Sequence, residues 1–103
     1  MINAQARLQA AGIFLSAADY IRQFGWQKEG MGEYGQPRCS MGALASANPE
    51  VVWDKDTSKL MYDVLYEMLE GMSLTQYNSK FQSGEKVAKL FERTARKLTD
   101  GSF

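Results

Sequence analysis

The chain contains no histidine. The commonest general base, the Ser-His and Cys-His nucleophile pairs and most transition-metal sites therefore have no residue to build them. Acid–base work would fall to carboxylates, lysines or tyrosines. Cys39 is the single cysteine, which excludes an internal disulfide and a cysteine zinc site and fits a reducing compartment. It follows Arg38 near the expected start of a short helix, where a helix N-terminus lowers a thiol's pKa. A free cysteine is more commonly a small buried hydrophobe, and with no histidine to act as its base, packing is the expected role.

Four further groupings could carry chemistry. Asp63, Glu67 and Glu70 are spaced by four and three, so a helix would place them on one face. With Asp54 and Asp56 they could hold a hard cation, but the Asp-x-Asp-x-Asp-Gly loop of calcium sites is absent, and a solvated acidic face is expected. Gly30-Met31-Gly32-Glu33-Tyr34-Gly35 matches G-x-G-x-x-G letter by letter. In a dinucleotide site that motif follows a strand and opens a helix, whereas here it follows a helical pattern and runs into Gln36-Pro37-Arg38, so it reads as a turn. Lys86, Lys89, Arg93, Arg96 and Lys97 form a basic face at helical spacing that could track phosphates, although no aromatic interleaving or nucleic-acid motif accompanies it. Trp26, Trp53, Tyr34, Tyr62, Tyr66 and Tyr77 are large amphipathic rings of the kind favoured at interfaces and also used in cores. Tyr62 and Tyr66 lie four apart beside the main apolar stripe of their helix. Together with Asp63, Glu67 and Glu70 they form the candidate interaction face. No catalytic residue, cofactor site or metal site is assigned, and the chain is expected not to be an enzyme.

The elements that must position these residues are helical. Asn3 is placed to cap a first helix over 4–24. Leu8, Ala11, Leu15, Ala18 and Ile21 form one apolar row, and Ile13, Ala17, Tyr20 and Phe24 a second. Gly12 interrupts the pattern, and Gly25 is suited to end it. Residues 27–38, with Gly30, Gly32, Gly35 and Pro37, read as a glycine-turned loop or a short hairpin. A short helix over about 40–47 follows, ended by Asn48-Pro49. Val51, Val52 and Trp53 form an apolar patch. A third helix is capped by Asp56 or Thr57, carries Leu60, Met61, Val64, Leu65, Met68, Leu69 and Met72, and ends at Gly71. Residues 73–82 read as a loop. Ser83 caps a last helix with Glu85 in its first turn and Val87, Leu90, Phe91, Thr94, Ala95 and Leu98 inward. The fold class predicted is mainly α: a single-domain helical bundle of about four helices spanning 1–103.

Bulk composition agrees. The chain has 103 residues, of which 45% are hydrophobic and 23% charged, the usage of one ordinary globular domain. Its 12 basic and 12 acidic residues cancel, so no general attraction to nucleic acid or anionic membrane is expected. The charges are segregated: six acids and two bases lie between Glu50 and Glu70, and six bases and two acids between Lys80 and Leu98. Helices of opposite sign can attract each other on folding. Residues 1–9 lack the apolar core of a signal peptide, and no apolar run approaches the ~20 residues of a spanning helix, so a cytoplasmic location is expected.

One pattern runs through nearly the whole chain. Phe14-Leu15-Ser16-Ala17-Ala18-Asp19-Tyr20-Ile21 is followed by Gly25-Trp26-Gln27-Lys28-Glu29-Gly30, Gly35, Cys39-Ser40-Met41-Gly42-Ala43-Leu44, Tyr77-Asn78, and a capped helix with Val87 and Leu90. It resembles a family of small proteins of unknown function found in actinobacteria and their phages. This chain departs from the pattern in the Lys28-Glu29 pair and in Tyr77, where the family has tryptophan. The resemblance carries no activity with it. It marks Trp26, Gly30, Cys39, Gly42, Tyr77 and Asn78 as a cluster whose role is open. Trp26 would plug the core, Gly42 would allow close helix approach, and Asn78 would cap or turn the last segment. Three functional expectations follow. The first is a domain that binds another protein, as a phage-borne or actinobacterial factor acting on a host protein. The second is a nucleic-acid-associated protein using the basic helix. The third is a small-molecule site around Trp26 and Cys39. A second copy is a further partner, through the methionine-rich third helix.

Overall fold

Helix α1 spans Ala4–Phe24 without a break at Gly12, where an added Cβ would point into open space. Its buried arc is mostly alanine (Ala6, Ala10, Ala11, Ala17 and Ala18), with Ile13, Phe14, Tyr20 and Ile21 as the large members. Small residues along the arc let three neighbouring helices approach closely. The second apolar row is the better guide to it. Leu8 and Leu15 of the first row are 68% and 46% exposed, because they lie ~60° and ~40° around the helix from Ala11, past the arc's edge.

The computed structural model describes residues 4–27, 33, 35–46, 55–79 and 83–103. Four more helices follow α1 among them: α2 (Ser40–Ser46), α3 (Lys55–Met68), α4 (Leu74–Ser79) and α5 (Gly84–Thr99). This is the predicted mainly helical bundle. Asn3, Asn48-Pro49 and the Val51–Trp53 patch lie outside the described residues.

Helix α1 is the hub. It packs chiefly on α5 and also touches α2 and α3. Phe14 and Phe91 meet with ring centroids 5.5 Å apart, and both are fully buried. Arg7 donates from Nη1 to the Leu98 carbonyl (3.0 Å) and from Nη2 to the Phe103 carbonyl. A cation thereby sits on the last turn of α5, where unpaired carbonyls and the negative end of the dipole favour it.

Local chemistry sets the element ends. Ser83 caps α5 by accepting from the Lys86 N–H, as its sequence predicts. The segment read as a loop after α3 contains α4. Ser73 Oγ accepts from the Gln76 N–H (3.1 Å) and Gln76 Oε1 accepts from the Ser73 N–H (2.9 Å). This is a reciprocal capping box, and it nucleates a helix that has almost no apolar stripe of its own. At the start of α3 neither Asp56 nor Thr57 is the cap, since both lie inside the first turn. Thr57 is buried, and its hydroxyl donates to Gln9 Oε1 of α1 (2.8 Å).

The end of α3 also differs from expectation. The helix stops at Met68, and the first left-handed residue is Glu70 (φ 54°), followed by Gly71 (φ 86°). The Glu70 N–H bonds to the Glu67 carbonyl and the Gly71 N–H to the Tyr66 carbonyl, which is the paired pattern of a Schellman cap. Glu70 therefore does not continue the acidic helical face.

Candidate functional site

The residues singled out in sequence fall on three separate surfaces. The first is the junction between the end of α1 and the start of α2. Gly25 ends α1 with φ 97°, and Pro37 packs against it. Trp26 pairs in parallel with Arg38, the Gln27 N–H reaching the Arg38 carbonyl (3.1 Å). The parallel register means that Trp26 and Arg38 are not the two arms of a hairpin; the loop or short hairpin expected around Tyr34–Gly35 includes residues 28–32 and 34, which lie outside the described residues. The Trp26 indole N–H donates to Ser40 Oγ (3.2 Å), and the half-buried ring packs against the core. Gly84 is closed in by the same tryptophan: a Cβ there would stand 3.2 Å from both Trp26 Cβ and Ile21 Cγ2.

Tyr20 holds the loop from below. Its hydroxyl donates to the Gln36 carbonyl (2.8 Å) and accepts from the Gly35 N–H (3.0 Å). The Arg38 guanidinium lies over the Tyr20 ring, 6.0 Å from its centroid. Arg38 Nη1 also donates to Ser46 Oγ (2.6 Å), which donates to the Gly42 carbonyl (2.7 Å). Cys39 is buried, as expected. Gly42 is buried in α2. Tyr77 belongs to α4, which packs on α2; burial raises its phenol pKa, which nearby Arg93 pulls back down. Gly30 and the side chain of Asn78 lie outside the described residues, as do Tyr34, Trp53 and Asp54. The junction brings together Trp26, Arg38, Ser40 and Tyr20.

The second surface is α3. Tyr62 and Tyr66 are 69% and 68% exposed, and the Tyr66 ring reaches over Gly71 in the C-terminal cap. The acids beside them do not form one cluster. Asp63 pairs with Lys59 (2.8 Å) and Glu67 with Lys97 of α5 (3.7 Å), while Glu70 lies past the helix end. Asp63 raises the Lys59 pKa, first through the hydrogen bond and then through its charge. Among the described residues no group of three or more His, Cys, Asp or Glu could hold a metal ion. The Glu67–Lys97 pair does join the acidic and basic helices as their charges predict, though a solvated pair contributes at most about 1 kcal/mol.

The third surface is α5. Lys86, Lys89, Arg93 and Arg96 are exposed and Lys97 is half-buried. The acids of this helix are drawn to its α1 edge. Arg22 donates to both oxygens of Glu92 (2.7 and 2.8 Å) and to Glu85 (3.0 and 3.4 Å). These hydrogen bonds lower the pKa of both carboxyls and raise that of Arg22. Among the described residues no acid pairs with Lys86, Lys89, Arg93 or Arg96, so the outer face of α5 is cationic. The sequence reading missed Arg22. The i, i+7 spacing of Glu85 and Glu92 was a visible sign of an acidic edge, but nothing local names the cation that fills it.

No helix among the described residues is long and apolar enough to cross a membrane. No curated protein and no solved structure matches the chain. The model of one family, described as a family of unknown function (DUF6197), matches residues 5–97. That match takes in the Gly25-Trp26 turn, the Arg38-Cys39-Ser40 junction, α3 and nearly all of α5, and the chain belongs to that family.

Proposed function

We propose that the chain is a non-enzymatic protein-interaction domain that engages its partner through the outer face of α3. The observation that carries this reading is the pair of exposed tyrosines, Tyr62 and Tyr66, one turn apart on a helix whose opposite side is core. Tyrosine offers large contact area with few rotatable bonds and is enriched at binding hot spots. The absence of histidine supports a binding role over a catalytic one. The resemblance to actinobacterial and actinophage proteins extends the reading to a cytoplasmic factor, phage-borne or bacterial, that modulates a host protein. The small-molecule reading of Trp26 and Cys39 has less support, because Trp26 and Ser40 bond each other and Cys39 is buried.

The test is affinity capture from nuclease-treated host lysate with wild type and with a Tyr62→Ser/Tyr66→Ser variant whose helicity is checked by circular dichroism. A protein retained by wild type and lost from the variant is the expected result. An identical retained set, or none from a chain that also stays monomeric, removes the reading.

A second reading rests on α5. With Glu85 and Glu92 bound to Arg22, the cations Lys86, Lys89, Arg93 and Arg96 present an unbroken strip that suits a phosphate backbone. Binding of double-stranded DNA would then fall steeply with salt, with a log–log slope of about −3 for three or four contacts, and would weaken on replacing Lys89, Arg93 and Arg96. Salt-independent binding, or none, removes it.

A further inference from the structure

At ~100° per residue the exposed side chains of Lys55, Lys59, Tyr62 and Tyr66 fall within an arc of ~60° on α3. Read along the helix, that arc carries the lysines towards the N-terminal end and the two tyrosines after them, with exposed Asp63, bonded to Lys59, at its flank and exposed Glu70 past the helix end. This polarity opposes the helix's own dipole. A cation stands at the positive N-terminus, and acids, Glu67 and Glu70, stand at the negative C-terminus, where the last turn holds no basic residue. Among the described residues, Asp56 in the first turn follows the favoured order.

An order of plus, aromatic, minus along one face is complementary to the same face turned end for end. We infer that the occupant of the α3 face is a second copy of this chain, its α3 antiparallel to the first across a two-fold axis near the level of Val64. The inference rests on the reading of Tyr62 and Tyr66 as an interaction surface and names the partner. With the axis there, Tyr62 meets the partner's Tyr66, and the same contact is made twice, as an isologous interface requires. Lys59 comes level with the partner's Glu70. The ammonium has three donors, so it can keep its bond to Asp63 while reaching the second carboxylate. The two opposed dipoles then place each disfavoured charge beside the end of the other helix that welcomes it. The cationic outer face of α5 cannot play this part, because two copies of a single-sign strip repel.

The test is analytical ultracentrifugation of the full chain over a wide concentration range. Wild type is expected to dimerise reversibly. Lys59→Glu and Glu70→Lys each place like charges at both symmetric contacts and weaken the dimer about tenfold. Mixing the two variants restores association, because the glutamate introduced in one chain then meets the lysine introduced in the other, and the second contact keeps its original pair. The variant carrying both changes dimerises for the same reason. Tyr62→Ser/Tyr66→Ser abolishes it. A wild type that stays monomeric, or a mixture no better than its components, overturns the proposal. If wild type is monomeric yet captures a protein through its tyrosines, the second copy is excluded and the interaction face stands. If neither occurs, both fall.

Discussion

Glu70 is the one residue other than glycine with a positive φ among the described residues. An L side chain in the left-handed region costs roughly 1–2 kcal/mol, and glycine recovers most of this at some loss of chain entropy. Glu70→Gly is therefore expected to stabilise the fold by about 0.5–1 kcal/mol, read as a raised urea midpoint. The same change removes the acid that faces Lys59 in the two-fold pairing, so it should stabilise the monomer while weakening self-association. A variant that loses stability would show that the side chain does more for the monomer than its backbone strain removes. Tyr20 makes the complementary case. It is buried, and its hydroxyl both donates to Gln36 and accepts from Gly35. Tyr20→Phe deletes both bonds and is expected to cost about 1–3 kcal/mol in the same assay. A loss within error would mean that solvent replaces the hydroxyl at the loop.

Between elements, the clearest device is the Arg22 fork that joins α1 to both Glu85 and Glu92 on α5. Both carboxyls have folded pKa values below normal, because Arg22 bonds their charged forms. In acid the unfolded chain therefore takes up protons before the folded one does. The contribution is complete above the ordinary carboxylate range and is lost as pH falls through the depressed folded values. Urea midpoints measured against pH should show wild type ahead of Arg22→Gln at neutral pH, with the gap closing in acid and narrowing in high salt. A gap independent of pH would assign the effect to packing of the Arg22 stem. This element contact also marks where sequence reasoning stops. Periodicity found α3 and α5, and Ser83 located its own helix, because those signals are local. The Ser73–Gln76 capping box was equally local and readable, but the polar run after α3 masked it. Leu8 and Leu15 look like core because their residue types are apolar; only the placement of α5 and the neighbouring helices decides which arc is covered. Exposure of Tyr62 and Tyr66 was legible from their offset beside the stripe. The separation of Asp63, Glu67 and Glu70 was not, since it depends on Lys97 from a distant helix and on a cap that turns at Glu70 before Gly71.

Across the whole molecule, the first and last helices form the principal interface. Phe14 against Phe91 lies in its buried interior, and Arg7 fastens the end of α5. Helices α2, α3 and α4 are spanned by the loop that this contact closes, and α2 and α3 dock on α1. Detaching α5 would uncover Phe14, Phe91, Leu90 and Leu98 together, all nearly fully buried, so α5 has no inexpensive way to open alone. Its amides and those of α1 should exchange with solvent deuterium through one shared opening, at the free energy of global unfolding. Helix α4 is six residues long and should exchange sooner through local fraying. Phe91→Ala removes a fully buried ring and is expected to cost about 3–5 kcal/mol, a large part of the roughly 5–15 kcal/mol of a typical domain. Hydrogen exchange by mass spectrometry would then show protection in α1 falling by the same amount as in α5, although the substitution lies only in α5, with α4 changing little. Protection lost from α5 alone would mean that the last helix is a separable cooperative unit, and that α1 keeps its structure on α2 and α3 without it.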